Sequence, residues 1–107
     1  MDLTQKVCVA CEGGVDPLNK IEAEVLLRQI PGWALRDDAK QIFREFKFKN
    51  FAQALEFTNK IGAIAEKEGH HPDLELGWGR VKISLTTHAI KGLSENDFIV
   101  AAKVNTL

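Results

Sequence analysis

Apolar residues recur along the chain in two periods, and the change from one to the other marks out its elements. Leu18, Ile21, Val25 and Leu26 return at helical spacing behind Asp16-Pro17, an N-cap followed by proline at the first helical position, so a first helix is expected there. Pro31-Gly32 stops it. Trp33 to Arg36 and Gln41 to Lys49 then read as two strands around the polar turn Asp37-Asp38-Ala39-Lys40, with Ile42, Phe46 and Phe48 on one face.

Asn50 begins the longest helix, with Gln53 three residues on, and Phe51, Ala54, Leu55, Thr58, Ile61, Gly62 and Ala65 mark one face of it. Gly69 is the natural residue just past its end, because glycine enters the left-handed region without a Cβ penalty. Period two returns at Leu74, Leu76 and Trp78, and again after Gly79-Arg80 at Val81, Ile83 and Leu85, which predicts a hairpin. Ser94 with Asp97 matches a capping box ahead of Phe98, Ala101 and Ala102, so a third helix closes the chain.

The order helix, two strands, helix, two strands, helix predicts an α+β fold, an antiparallel sheet with helices on one side, because strands joined by tight turns pair antiparallel and amphipathic helices need a sheet face to cover. With 107 residues, 45% hydrophobic and 27% charged, the chain is expected to form a single globular domain over residues 1–107, with 1–15 a loosely ordered N-terminal segment. A domain this small hides a modest fraction of its surface, which favours oligomerisation.

Charge narrows the partners. Fourteen lysines and arginines against 15 acidic residues, with no basic run, argue against nucleic acid, and no apolar run is long enough to cross a bilayer, so a cytoplasmic protein with no membrane association is expected. Cys8 and Cys11 have the spacing of half a zinc site or a redox motif, but no second pair accompanies them; reduced thiols are the simpler reading.

All three histidines, His70, His71 and His88, fall between positions 70 and 88. Alternation along the last strand places His88 with Lys82, Ser84 and Thr86, opposite the apolar Val81, Ile83 and Leu85, where core packing does not explain it. His70 follows a helix C-terminus, which favours a cation, and Glu66 lies near it in sequence. Imidazoles titrate near neutrality and suit proton transfer. Solvated loop histidines are the plainer alternative, Trp78 reads equally as a hairpin-tip aromatic, and capping already explains Asp97. Three imidazoles with Glu66 or Asp97 form a legitimate metal set, yet neighbouring residues in extended backbone point apart, so His70 and His71 converge on one ion only across a turn; no metal is expected.

Taken together, Glu66-Lys67-Glu68-Gly69-His70-His71-Pro72, Trp78, His88 and Asp97 resemble the signature of the pterin-4a-carbinolamine dehydratases. The likeness extends to Gly32-Trp33, Phe46 to Phe51, Lys82 to His88 and Gly92-Leu93-Ser94-Glu95. It implies a four-stranded antiparallel sheet with three helices packed on one face, assembled as a homodimer or homotetramer. The implied activity is a lyase reaction that dehydrates 4a-hydroxytetrahydrobiopterin, left by a pterin-dependent aromatic amino acid hydroxylase, to quinonoid dihydropterin and water, without cofactor or metal, in support of tetrahydrobiopterin recycling. By the same resemblance His70, His71 and His88 are catalytic, Glu66 and Asp97 support them, and Trp33 and Trp78 bind substrate. Gly69 stands where some relatives carry an acidic residue. Animal members of the family also serve as dimerisation cofactors of a transcription factor, so a non-catalytic binding module is the alternative.

Overall fold

The computed structural model describes residues 2–9 and 13–107. Three helices, α1 (Lys20–Leu27), α2 (Phe51–Glu68) and α3 (Glu95–Val104), cover one face of a four-stranded sheet built from β1 (Ala34–Leu35), β2 (Ile42–Lys47), β3 (Asp73–Gly77) and β4 (Arg80–Leu85). The strand order is β1-β2-β4-β3 and every pairing is antiparallel. β4 therefore lies inside the sheet, and its helix-facing Val81, Ile83 and Leu85 are fully buried. Each such side chain contributes roughly 1.5–3 kcal/mol relative to exposure. The opposite face carries ion pairs, Arg80 with Glu45 and Lys82 with Glu75 across strands and Lys47 with Glu45 along β2.

α1 begins at Asn19 rather than at Asp16. Asn19 Oδ1 accepts from Glu22 N at 2.8 Å and Glu22 Oε1 accepts from Asn19 N at 2.9 Å, a reciprocal cap that Asp16 has no residue to complete. Leu18 N instead donates to Leu93 O, tying the approach to α1 onto the loop before α3. Of α1, Ala23, Leu26 and Leu27 reach the core; Ile21 and Val25, expected inside, are exposed, because this short helix packs mainly on β1 and α3.

α2 differs from expectation by a rotation about its axis. Ala54, Ile61 and Ala65 are buried as the spacing predicts, but Phe51 and Leu55 are exposed, and Phe57 takes the inward position, its ring 4.7 Å from Phe46 and 5.1 Å from Phe48. Aromatic attraction from β2 selects that face. α3 carries the centre of the core: Phe98, Ile99, Val100, Ala101 and Val104 are all within 1% of complete burial.

Asp2–Val9 lies along α3, with Leu3 buried in the core inside a short 3-10 turn, Leu3–Gln5, capped by Asp2. Cys11 falls outside the described residues. Among them, no helix is long and apolar enough to cross a membrane.

Candidate active site

The site begins where α2 ends. Gly69 takes φ +66°, the left-handed cap, and its N–H and that of His70 both return to Ala65 O, so the chain leaves the helix sharply and carries His70 and His71 into the loop ahead of β3. The two imidazoles then part, each to its own carboxylate.

His70 turns inward. Its side chain is 12% exposed and its Nε2 lies 2.6 Å from Oδ1 of Asp97, whose side chain is completely buried. Asp97 Oδ2 accepts from Ser94 N at 3.0 Å and from Thr87 Oγ1 at 2.8 Å. Since the Thr87 proton is committed to Asp97, Ser94 Oγ donates to Thr87 Oγ1 across 2.7 Å, and a relay runs from Ser94 through Thr87 and Asp97 to His70. A carboxylate accepting at both oxygens takes a protonated Nε2 from His70, which leaves Nδ1 as the nitrogen free to give or take a proton.

His71 faces solvent with Glu66, its Nε2 2.5 Å from Glu66 Oε2 and the two side chains 60% and 79% exposed. Helical geometry brings Glu66 there from the last turn of α2. The sequence placed Glu66 beside His70; the structure gives it to His71 and gives Asp97 to His70.

His88 does not lie on a strand. β4 stops at Leu85, Thr86 Oγ1 donates to Lys40 O, and Thr87 N bonds Gly92 O to close a loop in which His88–Ile90 form a 3-10 turn. Lys91, at φ +56°, completes the reversal. This loop turns His88, exposed, towards the same cavity as the other two histidines.

That cavity, about 250 Å³, is lined by His70, His71, His88, Thr86, Thr87, Asn96 and Val9 together with the small Gly69 and Ala89. Asn96 and Val9 have no signature in the sequence, since they arrive from α3 and from the N-terminal segment. Thr87 was equally silent; only Ser94 and Asp97 announced themselves, as caps. Neither tryptophan lines the cavity: Trp33 is buried, donating from Nε1 to Asn105 Oδ1 at 2.8 Å, and Trp78 is 71% exposed at the β3–β4 turn. Among the described residues, no group of three or more His, Cys, Asp and Glu side chains is arranged to hold a metal ion. Separate carboxylates draw His70 and His71 apart.

The chain is thus an α+β sheet covered by three helices, with three imidazoles around a small cavity and a buried carboxylate behind one of them. Residues 16–107 match the family described as Pterin 4 alpha carbinolamine dehydratase, and the chain belongs to that family. A protein of Halorhodospira halophila named "Putative pterin-4-alpha-carbinolamine dehydratase" is 52% identical over 107 residues, covering 100% of this chain and 98% of its own. One so named in Methylococcus capsulatus is 51% identical over 105 residues, covering 98% of this chain and 92% of its own. The crystal structure of a transcriptional coactivator/pterin dehydratase from Brucella melitensis superposes with a TM-score of 0.79 at 36% identity, covering 85% of this chain and 97% of that one. A pterin dehydratase-like RuBisCO assembly factor of the alpha-carboxysome superposes with a TM-score of 0.60 at 26% identity, covering 70% and 87%.

Proposed function

We propose that this protein dehydrates 4a-hydroxytetrahydropterin to quinonoid dihydropterin. The observation that carries the reading is the gathering of His70, His71 and His88 on one cavity, two of them held at Nε2 by carboxylates. In the reaction the C4a–O bond breaks, the N5–H proton leaves and a C4a=N5 double bond forms. One group must protonate the departing hydroxyl to release water and another must accept the N5 proton.

His70 is suited to the first task or the second through its free Nδ1, and Asp97 fixes the tautomer either way. His71 and His88, more exposed, exchange protons with solvent and reset the site. General acid-base catalysis of this kind supplies about 10²- to 10⁴-fold in rate. The substrate would come from a pterin-dependent aromatic amino acid hydroxylase.

The test is the dehydration rate of freshly generated 4a-hydroxytetrahydropterin, followed by absorbance. The intact protein accelerates it, and His70→Ala and His88→Ala each reduce the acceleration at least about tenfold. No acceleration by the folded protein overturns the reading.

A binding module is the second reading, and it is favoured by the exposed apolar residues Ile21 and Val25 on α1 and Phe51 and Leu55 on α2. These same faces also suit assembly into a homodimer or homotetramer. A module of this kind tolerates loss of the histidines and fails when those helix faces are made polar; an enzyme shows the reverse.

A further inference from the structure

The N-terminal segment is fastened at the edge of the histidine cavity by side chains that no step of the dehydration uses. Asn96, 5% exposed, accepts from Val9 N at 3.1 Å and donates from Nδ2 to Val9 O at 2.6 Å, so both backbone groups of one residue are held by one amide. One residue earlier, Cys8 N donates to Glu68 Oε1 at 2.9 Å, and Glu68 is itself locked by Lys103 Nζ at 2.7 Å. Beyond the cavity, Gly13 sits at φ +87° where an added Cβ would lie 3.2 Å from Ala89 O, so the chain is seated against the His88 loop as well. Yet the Val9 side chain, on this immobilised backbone, is left 73% exposed with the cavity before it.

We propose that Val9 is a substrate-contacting residue that packs on a face of the pterin ring, and that Asn96 is the positioning residue that presents it. The inference rests on the dehydratase reading of the cavity. A pterin is a flat fused ring with nitrogen and oxygen at its edges and apolar faces above and below. The imidazoles can meet the edges, while Val9 is the one bulky aliphatic side chain among the described residues of the lining. Fixing its backbone beforehand removes the ordering cost from the binding step. Val9 thereby acts on affinity, whereas the histidines act on the rate of the bound complex.

The experiment measures the Kd of 7,8-dihydrobiopterin, which lacks the 4a-hydroxyl, for the full chain by pterin fluorescence, together with KM and kcat of the dehydration. Val9→Asp is expected to weaken binding and raise KM about tenfold with kcat within about twofold of wild type, the loss of one aliphatic contact of this size. Val9→Gly moves both in the same direction. Asn96→Leu, which fills similar space but makes neither bond to Val9, reproduces the rise in KM. A wild-type protein that binds no dihydropterin overturns the pterin reading of the cavity and this inference with it. A wild type that binds, with Val9→Asp and Val9→Gly binding equally tightly, overturns this inference alone.

Discussion

The Asp97 carboxylate begins α3 with one oxygen and holds His70 with the other, Oδ2 accepting from Ser94 N at 3.0 Å and Oδ1 lying 2.6 Å from His70 Nε2. A helix cap and an imidazole support are therefore one side chain, and two consequences of altering it can be told apart. In Asp97→Asn the amide oxygen can still serve Ser94, but the amide nitrogen then meets His70 Nε2 as donor against donor. His70 must move its proton to Nδ1, the wrong tautomer for the reaction. We expect kcat to fall about 10²-fold or more while stability drops by about 1–2 kcal/mol. Steady-state kinetics beside a urea midpoint checks this; equal kcat in the two proteins would remove Asp97 from the mechanism.

The His71–Glu66 pair is exposed and predicts a different outcome. Its two side chains are open to water, so Glu66→Gln should change stability by less than about 1 kcal/mol, with an effect that shrinks further in high salt. Thermal melts at low and high ionic strength test it. A destabilisation of several kcal/mol would mean that the contact is far better shielded than its exposure shows.

Glu68 supplies a pH dependence. Its carboxyl is held below the ordinary glutamate value, first by the Lys103 ammonium bonded to it and then by the Cys8 N–H. The folded state thus binds this proton less readily than the unfolded chain does. Its contribution is full above the ordinary value of 4.5 and is lost as pH falls through the depressed folded value. Lys103→Met should cost roughly 2–3 kcal/mol near pH 7, because it leaves a buried carboxylate unpaired, and the difference from wild type should narrow steadily below pH 4.5. Urea unfolding of both proteins across that range decides the matter. A gap that widens in acid contradicts the pairing.

Burial, followed by the nearby Glu68 charge, pushes the Cys8 thiol up to about 12. Almost none of it is thiolate at pH 8, and the thiolate is the reactive species. In a Cys11→Ser background, Cys8 should react with a disulfide reagent at least about a hundredfold more slowly in the native protein than in urea. Equal rates would show that the segment from Asp2 to Val9 is open in solution.

The sequence by itself determined the local steps. Period and capping residues marked the helices and the hairpin, because helix and strand repeats and cap chemistry are properties of adjacent residues; Asn50, Gly69, Ser94 and Asp97 all cap as their types require. The resemblance supplied the histidines and their carboxylates together. What the sequence could not decide was orientation. Phe51 and Leu55 have the same character as Phe57, and the Phe46 ring on β2 with the Phe48 ring just past its end chose which side of α2 would face inward. Asp16-Pro17 was the cap that the sequence offered for α1, and the Glu22 side chain settled it at Asn19 instead.

The tertiary structure alone paired His70 with Asp97 and His71 with Glu66, because 27 residues separate the first pair and the direction of a side chain after a left-handed turn is not written in its neighbours. It alone bent the chain after Leu85 so that His88 leaves the sheet, through the Thr87–Gly92 bridge. It alone brought Val9 and Asn96, 87 positions apart, to the cavity's edge. Short-range periodicity constrains a residue only relative to its own element; convergence of distant elements depends on how those elements pack, and that is decided by the core they share.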